Sequence, residues 1–413
     1  MANENLPANP QSATDAVLRR IAQRRSFLKG VGIAGAAISA GALLTTAGGA
    51  EEKSGSLTRG DAAILRFLAA AEIIESDLWL QYAELGGVPD STELPQLASQ
   101  LIPGYPNQPF VGNDTYISAL EQLDSDMPQY IHDNTEDELT HENFINAYLV
   151  MKGADPVNLD KFRTLPSSTA PGAFSVGRLT NLMQLTVDTS WWTRYRSRTK
   201  NPDLDPNFVF PPAIPSLAGG MFTAIPRNFN DSDPNNANNS SSLPLTHIQA
   251  IANTAGFHFA FIEQGGTSLY PSLAQRVTSL EVLRILLSIG GTEICHFQTW
   301  HDKAGNAITG SDPENSALVF PDLNDPTQIP SNLVAKGFTL EDFQTNLIMP
   351  EPTAFLSRRL PVCSIIRPTE TRNAAMGAVK ALTDDGLFIG QSKQFFKMLQ
   401  DLASDADEAQ REF

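Results

Sequence analysis

Glu138-x-x-His141 and Glu293-x-x-His296 constrain this chain more than any other feature. Each places a carboxylate and an imidazole one turn apart on the same helical face. Read with a helical period, residues 128–152 put Glu138 and His141 on one stripe with Ile131, Ile145 and Tyr148. Residues 278–303 likewise align Glu293 and His296 with Leu286, Ile289, Phe297 and Trp300. Ionisable groups among such neighbours are costly to bury unless a metal ion or a partner compensates. Two other helical stretches each carry one glutamate in matching context. In residues 61–85, Glu72 follows Leu68 and Ala69 and precedes Trp79 by seven; in residues 246–270, Glu263 follows Phe259 and Ala260 and precedes Tyr270 by seven. The chain thus uses the same pair twice: Glu-x6-aromatic, then Glu-x-x-His.

The order of elements gives this repeat a scaffold. The spacing predicts a first long helix over 61–85, ended by Gly86-Gly87, then a Pro- and Gly-rich loop over 86–112. Asn113 or Asp114 caps a short helix running to Asp126, and Pro128 suits the first turn of a second long helix ending at Gly153. Residues 154–245 read as a loop-rich insertion with one helix over 176–200 carrying Trp191, Trp192 and Tyr195; the polar run over 230–242 is expected to be solvated and poorly ordered. A third long helix begins near Thr246 and is interrupted at Pro271. A fourth opens with the capping box Thr278-x-x-Glu281 and stops at Gly305. Residues 306–413 form an extension: Pro-rich loop, a short helix near 340–348, and amphipathic helices over 369–382 and 390–404. No segment reads as a strand. The fold class is therefore mainly α: helix pairs over 61–152 and 246–305 forming a four-helix bundle, with a long crossover between the second and third helices.

A dinuclear site for hard or borderline metals needs several carboxylates, two of which can bridge, with imidazoles filling the remaining positions. Glu72, Glu138, His141, Glu263, Glu293 and His296 supply that set. The net charge of −17 argues against a nucleic-acid partner, which requires a basic face. Two cysteines and no CxxC pair argue against thiolate metal sites and iron–sulfur clusters; whether Cys295 and Cys363 pair depends on whether they meet.

Residues 1–50 resemble a twin-arginine export signal. Arg24-Arg25-Ser26-Phe27-Leu28-Lys29 precedes an apolar stretch from Val31 to about Gly49 and a small-residue end at Ala50. This implies a periplasmic or secreted protein with no stable membrane anchor after cleavage. Losing the segment's five basic and two acidic residues leaves the remainder near −20.

The four helical stretches resemble the ferritin-like superfamily, which includes bacterioferritins, rubrerythrins and desiccation-related proteins, and most of all its exported members with a twin-arginine signal. DELTHENFINAYLVMKG (137–153) is similar to the second bundle helix of that superfamily and FIEQGGTSLYPSLA (261–274) to the third. The resemblance implies a ferritin-like bundle holding two iron ions, or alternatively manganese. Glu138 and Glu293 would bridge, His141 and His296 would be imidazole ligands, and Glu72 and Glu263 the outer carboxylates. It further implies dioxygen or hydrogen peroxide as reactant and is compatible with a homo-oligomer. The chain departs from its relatives: its insertion does not suit a bacterioferritin cage, the four-cysteine module of rubrerythrins is absent, and manganese catalases have a less symmetrical ligand pattern. A non-catalytic metal-binding or desiccation-protective protein, and a manganese catalase, are the rival expectations.

Other residues have weaker claims. Glu75 could replace Glu72 as ligand. Glu142 is expected on the surface and Asp137 as a solvated acid, though Asp137 could orient an imidazole. His132, His247 and His258 have no partner at ligand spacing, and His301, five residues after His296, points elsewhere. Tyr148 and Tyr270 are read as core, as is the segment with Trp191, and Cys295 faces away from the motif that encloses it.

Overall fold

Thr58 starts the first long helix: its hydroxyl accepts the amide of Asp61 at 3.0 Å, and the helix runs as α1 (Arg59–Gly86). In the computed structural model of the chain, the described residues are 56–195, 209–325, 327, 331–344, 348–353, 356–365 and 373–412. The segment resembling an export signal lies outside them. After α1 come α2 (Glu93–Leu101), α3 (Asp114–Leu120), capped by the Asn113 side chain, and α4 (Met127–Met151), with Pro128 in its first turn. The single turn α5 (Trp191–Arg194) sits in the crossover; α6 (His247–Ala274), α7 (Leu280–Ala304), α8 (Ala374–Asp384) and α9 (Lys393–Glu408) follow.

The protein is mainly helical, and α1 pairs with α4 while α6 pairs with α7. An aromatic layer joins the pairs: Trp79 of α1 stacks on Trp300 of α7 at 5.3 Å, and Phe259 of α6 lies 4.9 Å and 4.7 Å from these two rings. All three side chains are fully buried, each contributing about 1.5–3 kcal/mol by leaving water. The last helix, α9, packs its buried Phe395, Leu399 and Leu402 against the body and covers α1. None of the described helices is long and apolar enough to cross a membrane.

The fourth long helix starts one residue later than the capping box predicts. The Thr278 and Ser279 amides donate to the Asp61 carboxylate at 2.8 and 2.9 Å, which ties the start of α7 to the start of α1. Ser279 is the cap, its hydroxyl accepting from the amides of Glu281 and Val282. Pro271 does not end α6, which continues to Ala274 with Leu273 fully buried; packing of this last turn offsets the missing hydrogen bond.

The crossover differs most from expectation. No helix covers 176–190, because the amides there serve distant partners: Leu179 and Thr180 donate to Asp77 on α1, Asn181 to Leu387, Leu185 to Phe222 and Thr186 to Asp385. Buried Glu84 holds the same strip through Arg178 at 2.6 and 2.5 Å, and Arg163 reaches Asp77 at 2.7 Å. Residues 230–242 are organised too: Asn228 and Asn236 cap single turns, Asp231 is buried, and Asn239 accepts the Ile248 amide at the head of α6. The loop over 86–112 contains α2, and the short helix expected near 340–348 is one turn at Leu340–Asp342. Two short hairpins interrupt the helical pattern, β1 (Gly310–Ser311) with β2 (Val319–Phe320) and β3 (Pro350–Glu351) with β4 (Cys363–Ser364).

Candidate metal centre

Helical spacing from four separate helices brings six side chains to one place inside the protein. Glu72, Glu138, Glu263 and Glu293 are completely buried, while the His141 and His296 side chains remain 12% and 10% exposed. The imidazoles therefore stand on the side nearest solvent. Around His141 Nδ1 lie Glu138 Oε2 at 3.0 Å, Glu72 Oε2 at 3.4 Å and Glu293 Oε1 at 3.6 Å. Around His296 Nδ1 lie Glu138 Oε1 at 3.1 Å and Glu263 Oε2 at 3.2 Å. The result is two groups of potential ligands, Glu72-Glu138-His141-Glu293 and Glu138-Glu263-Glu293-His296, each with its donor atoms within 4.8 Å of one another. Glu138 and Glu293 belong to both groups. The two oxygens of Glu138 face different imidazoles.

The polar bookkeeping of this cluster is incomplete without a cation. Neither carboxylate oxygen of Glu293, nor Oε2 of Glu72, has a hydrogen-bond partner, although all three are buried. Burial pushes the Glu72 carboxyl up to about 7, raises that of Glu263, and raises Glu293 further, with its neighbouring carboxylates adding to the rise. Burial opposes charge on His141, but Glu72 and Glu138 outweigh it and hold the imidazole up at about 11. Glu138 is also pushed up by burial, yet the two imidazoles hold it below the ordinary carboxylate range. Among the described residues, the ion pairs of these glutamates are with His141 and His296. Protons on the imidazoles and carboxyls offset the buried negative charge, and a divalent cation in each group would replace such protons. These buried glutamate and histidine groups could hold a metal ion.

The surrounding residues orient this set. Asn134, four residues before Glu138, donates its amide to Glu138 Oε1 at 2.8 Å and to Glu263 Oε1 at 3.1 Å, and accepts Trp300 Nε1 at 2.7 Å. Asp137 Oδ2 lies 3.0 Å from His296 Nε2, which leaves Nδ1 turned toward the carboxylates. It is thus not merely a solvated acid, although its side chain stays 48% exposed. The Tyr270 hydroxyl donates to Glu72 Oε1. Gly266 makes room: a β-carbon there would fall 2.2 Å from Glu293 Oε2. Asn134 and Gly266 escaped the sequence reading, though each lies one turn from a recognised glutamate.

Of the alternatives, Glu75 joins neither group, although its carboxyl is pushed well up by burial and by Glu72, Glu138 and Glu263. Glu142 is buried rather than on the surface, and burial raises its carboxyl to about 7. Tyr148 lies with Lys152 and Glu281, away from the centre. His258 joins Tyr82 at 2.7 Å and Asp385 at 3.1 Å, His132 lies between Asp90 and Asp133, and His301 sits among the rings of Trp191, Trp192 and Phe297. Cys295 and Cys363 are free and exposed, so they do not pair.

Fold and site together define a mainly helical protein with buried glutamate–histidine groups suited to a metal ion. Compared with known protein families, characterised proteins and solved structures, the chain matches none.

Proposed function

We propose that this chain is an exported, ferritin-like di-iron carboxylate protein that reacts with dioxygen or hydrogen peroxide. The observation that carries the reading is the placement of Glu138, whose two oxygens lie 3.0 and 3.1 Å from the Nδ1 atoms of two different imidazoles. Glu138, with Glu293 shared beside it, would then be the carboxylate common to both ions. Glu72 and His141 would complete one half of the centre, Glu263 and His296 the other. Bound there, a pair of ferrous ions would supply two electrons together, so that a peroxide O–O bond could break without releasing radicals.

The chain's own groups divide the remaining work. Asn134 restrains Glu138 and Glu263 through two N–H donors and would limit their reorientation. Asp137 takes the outer proton of His296 and keeps Nδ1 directed inward. On the other half, the Tyr270 hydroxyl sits on Glu72 Oε1, where it can donate or take back a proton as that carboxylate changes partners. The net charge of −17 and the resemblance to a twin-arginine signal at Arg24-Arg25 support an acidic, folded cargo for the cell envelope.

Metal content measured on protein produced with its native N-terminal segment tests the reading. About two ions per chain are expected, with anomalous scattering identifying iron, and both should be lost in a Glu138→Ala, Glu293→Ala double variant. Full retention in that variant would sink the assignment. Manganese in place of iron would favour a catalase, and a loaded protein that consumes neither dioxygen nor peroxide would favour a purely metal-binding role.

A further inference from the structure

A separate cluster lies at the head of α6. His247 is the first residue of that helix and is 4% exposed at its side chain. Its Nδ1 faces the Asp312 carboxylate at 2.9 Å, an arrangement that directs Nε2 toward Asp231 and Glu314 and would leave it the ligand nitrogen for a bound ion. No hydrogen bond reaches that buried Nε2. Instead it faces Glu314 Oε2 at 3.2 Å and Asp231 Oδ1 at 3.6 Å. The three donor atoms lie within 4.8 Å of one another.

These separations suit a metal polyhedron as well as an ion pair. Zinc binds nitrogen and oxygen at about 2.0–2.2 Å, so neighbouring ligands on a tetrahedron stand roughly 3.3–3.6 Å apart. The two edges measured at Nε2 lie within about 0.1 Å of that range. We infer that Asp231, His247 and Glu314 form a second, mononuclear site for a divalent transition ion of the zinc type, oriented by Asp312. His247, Asp312 and Glu314 also line a cavity of about 640 Å³ together with Met221, Phe222 and Leu318. The cluster offers three protein ligands, so a fourth position is left for water or a small ligand, as in catalytic rather than structural zinc sites.

Arg227 sets the strength of the site. It grips Asp231 with both arms, Nε to Oδ2 at 2.8 Å and Nη2 to Oδ1 at 2.9 Å, the latter oxygen being the one turned to His247. Nη2 also reaches Glu314 Oε1 at 2.8 Å, leaving Glu314 Oε2 toward His247. A guanidinium sharing the ligand oxygens weakens cation binding, so this site should fill after the centre that has four carboxylates.

The test uses the chelator-stripped full-length chain carrying Glu138→Ala and Glu293→Ala. Zinc chloride is titrated in by calorimetry, and cobalt(II) absorption reports the coordination. One ion per chain is expected, and a further His247→Gln change should abolish it. Asp312→Asn keeps all three ligands and should weaken binding about 10–100-fold. Should the double variant fail to fold, crystals of the unsubstituted chain soaked in zinc chloride should give an anomalous peak between His247 Nε2, Asp231 and Glu314. No ion at the cluster, or an affinity unmoved by His247→Gln, would overturn the inference. Neither readout involves the six-residue centre, so that reading survives such a result.

Discussion

Asn134 serves three partners with one amide: two carboxylates of the candidate centre and the indole of Trp300. It links the aromatic layer to the ligand set, so its loss should loosen both. Asn134→Ala is expected to weaken metal binding about 10–100-fold, the range typical of residues that orient ligands without touching the ion. Gly266→Ala removes no ligand and no hydrogen bond, yet its methyl group would occupy the place of Glu293 Oε2. Displacement of that carboxylate should cost metal from the centre, read as a fall in ions per chain by elemental analysis. A Gly266→Ala protein with full metal content and unchanged affinity would show that Glu293 is not held where described. At this scale the sequence was informative where a Glu-x-x-His spacing marks the pair, as with Glu138 and His141, and it passed over Asn134, one turn from Glu138 but outside that spacing. It was silent where the partner is distant: His258 meets Asp385 across 127 residues and His247 meets Asp312 across 65.

Helix α2 shows how single charges fix an element. Asp90 accepts the amides of Thr92, Glu93 and Leu94 at its start and contacts His132 Nε2 of α4 at 3.2 Å. Burial pushes the Asp90 carboxyl up, but these donors outweigh it and leave the group below the ordinary carboxylate range. His132 is lowered by burial, yet Asp133 and Asp90 hold it above its ordinary value. The depressed carboxylate contributes stability above the unfolded value near 4, which is lost as pH falls through its folded value. The raised imidazole contributes below about 6.5, and that part is lost as pH rises through its folded value. The pair therefore stabilises most between about pH 4 and 6.5. Asp90→Asn removes the charge but keeps an acceptor oxygen, and should cost about 0.3–1 kcal/mol there, with the difference from the unsubstituted chain closing toward pH 2 in urea melts. An equal difference at pH 2 and pH 6 would contradict this account. The four long helices were legible because their period and stop residues are local. The crossover was not, because Asp77 and Glu84 take up its amides and its arginine from a helix about a hundred residues earlier.

Across the whole molecule, four buried glutamates and two imidazoles make the apo protein costly to hold together. Anything that binds the folded state alone stabilises it, by about 4 kcal/mol at a thousandfold excess over the dissociation constant. Chelation should lower the thermal midpoint of the unsubstituted chain by more than that of the Glu138→Ala, Glu293→Ala variant, which keeps only the Asp231-His247-Glu314 cluster; calorimetric scans with and without chelator decide. An unsubstituted chain indifferent to chelation would mean that the centre is not loaded. The covering of α1 by α9 carries a different consequence, one of order in time. A ribosome makes α1 more than three hundred residues before α9. Until α9 is made, α1 waits with an open flank, and the crossover amides of Asn181 and Thr186 wait for Leu387 and Asp385 just ahead of it. Slow closure follows from so distant a pairing. Helix α9 thus acts as a seal, and a product terminated before it would announce itself by exposed apolar surface along α1.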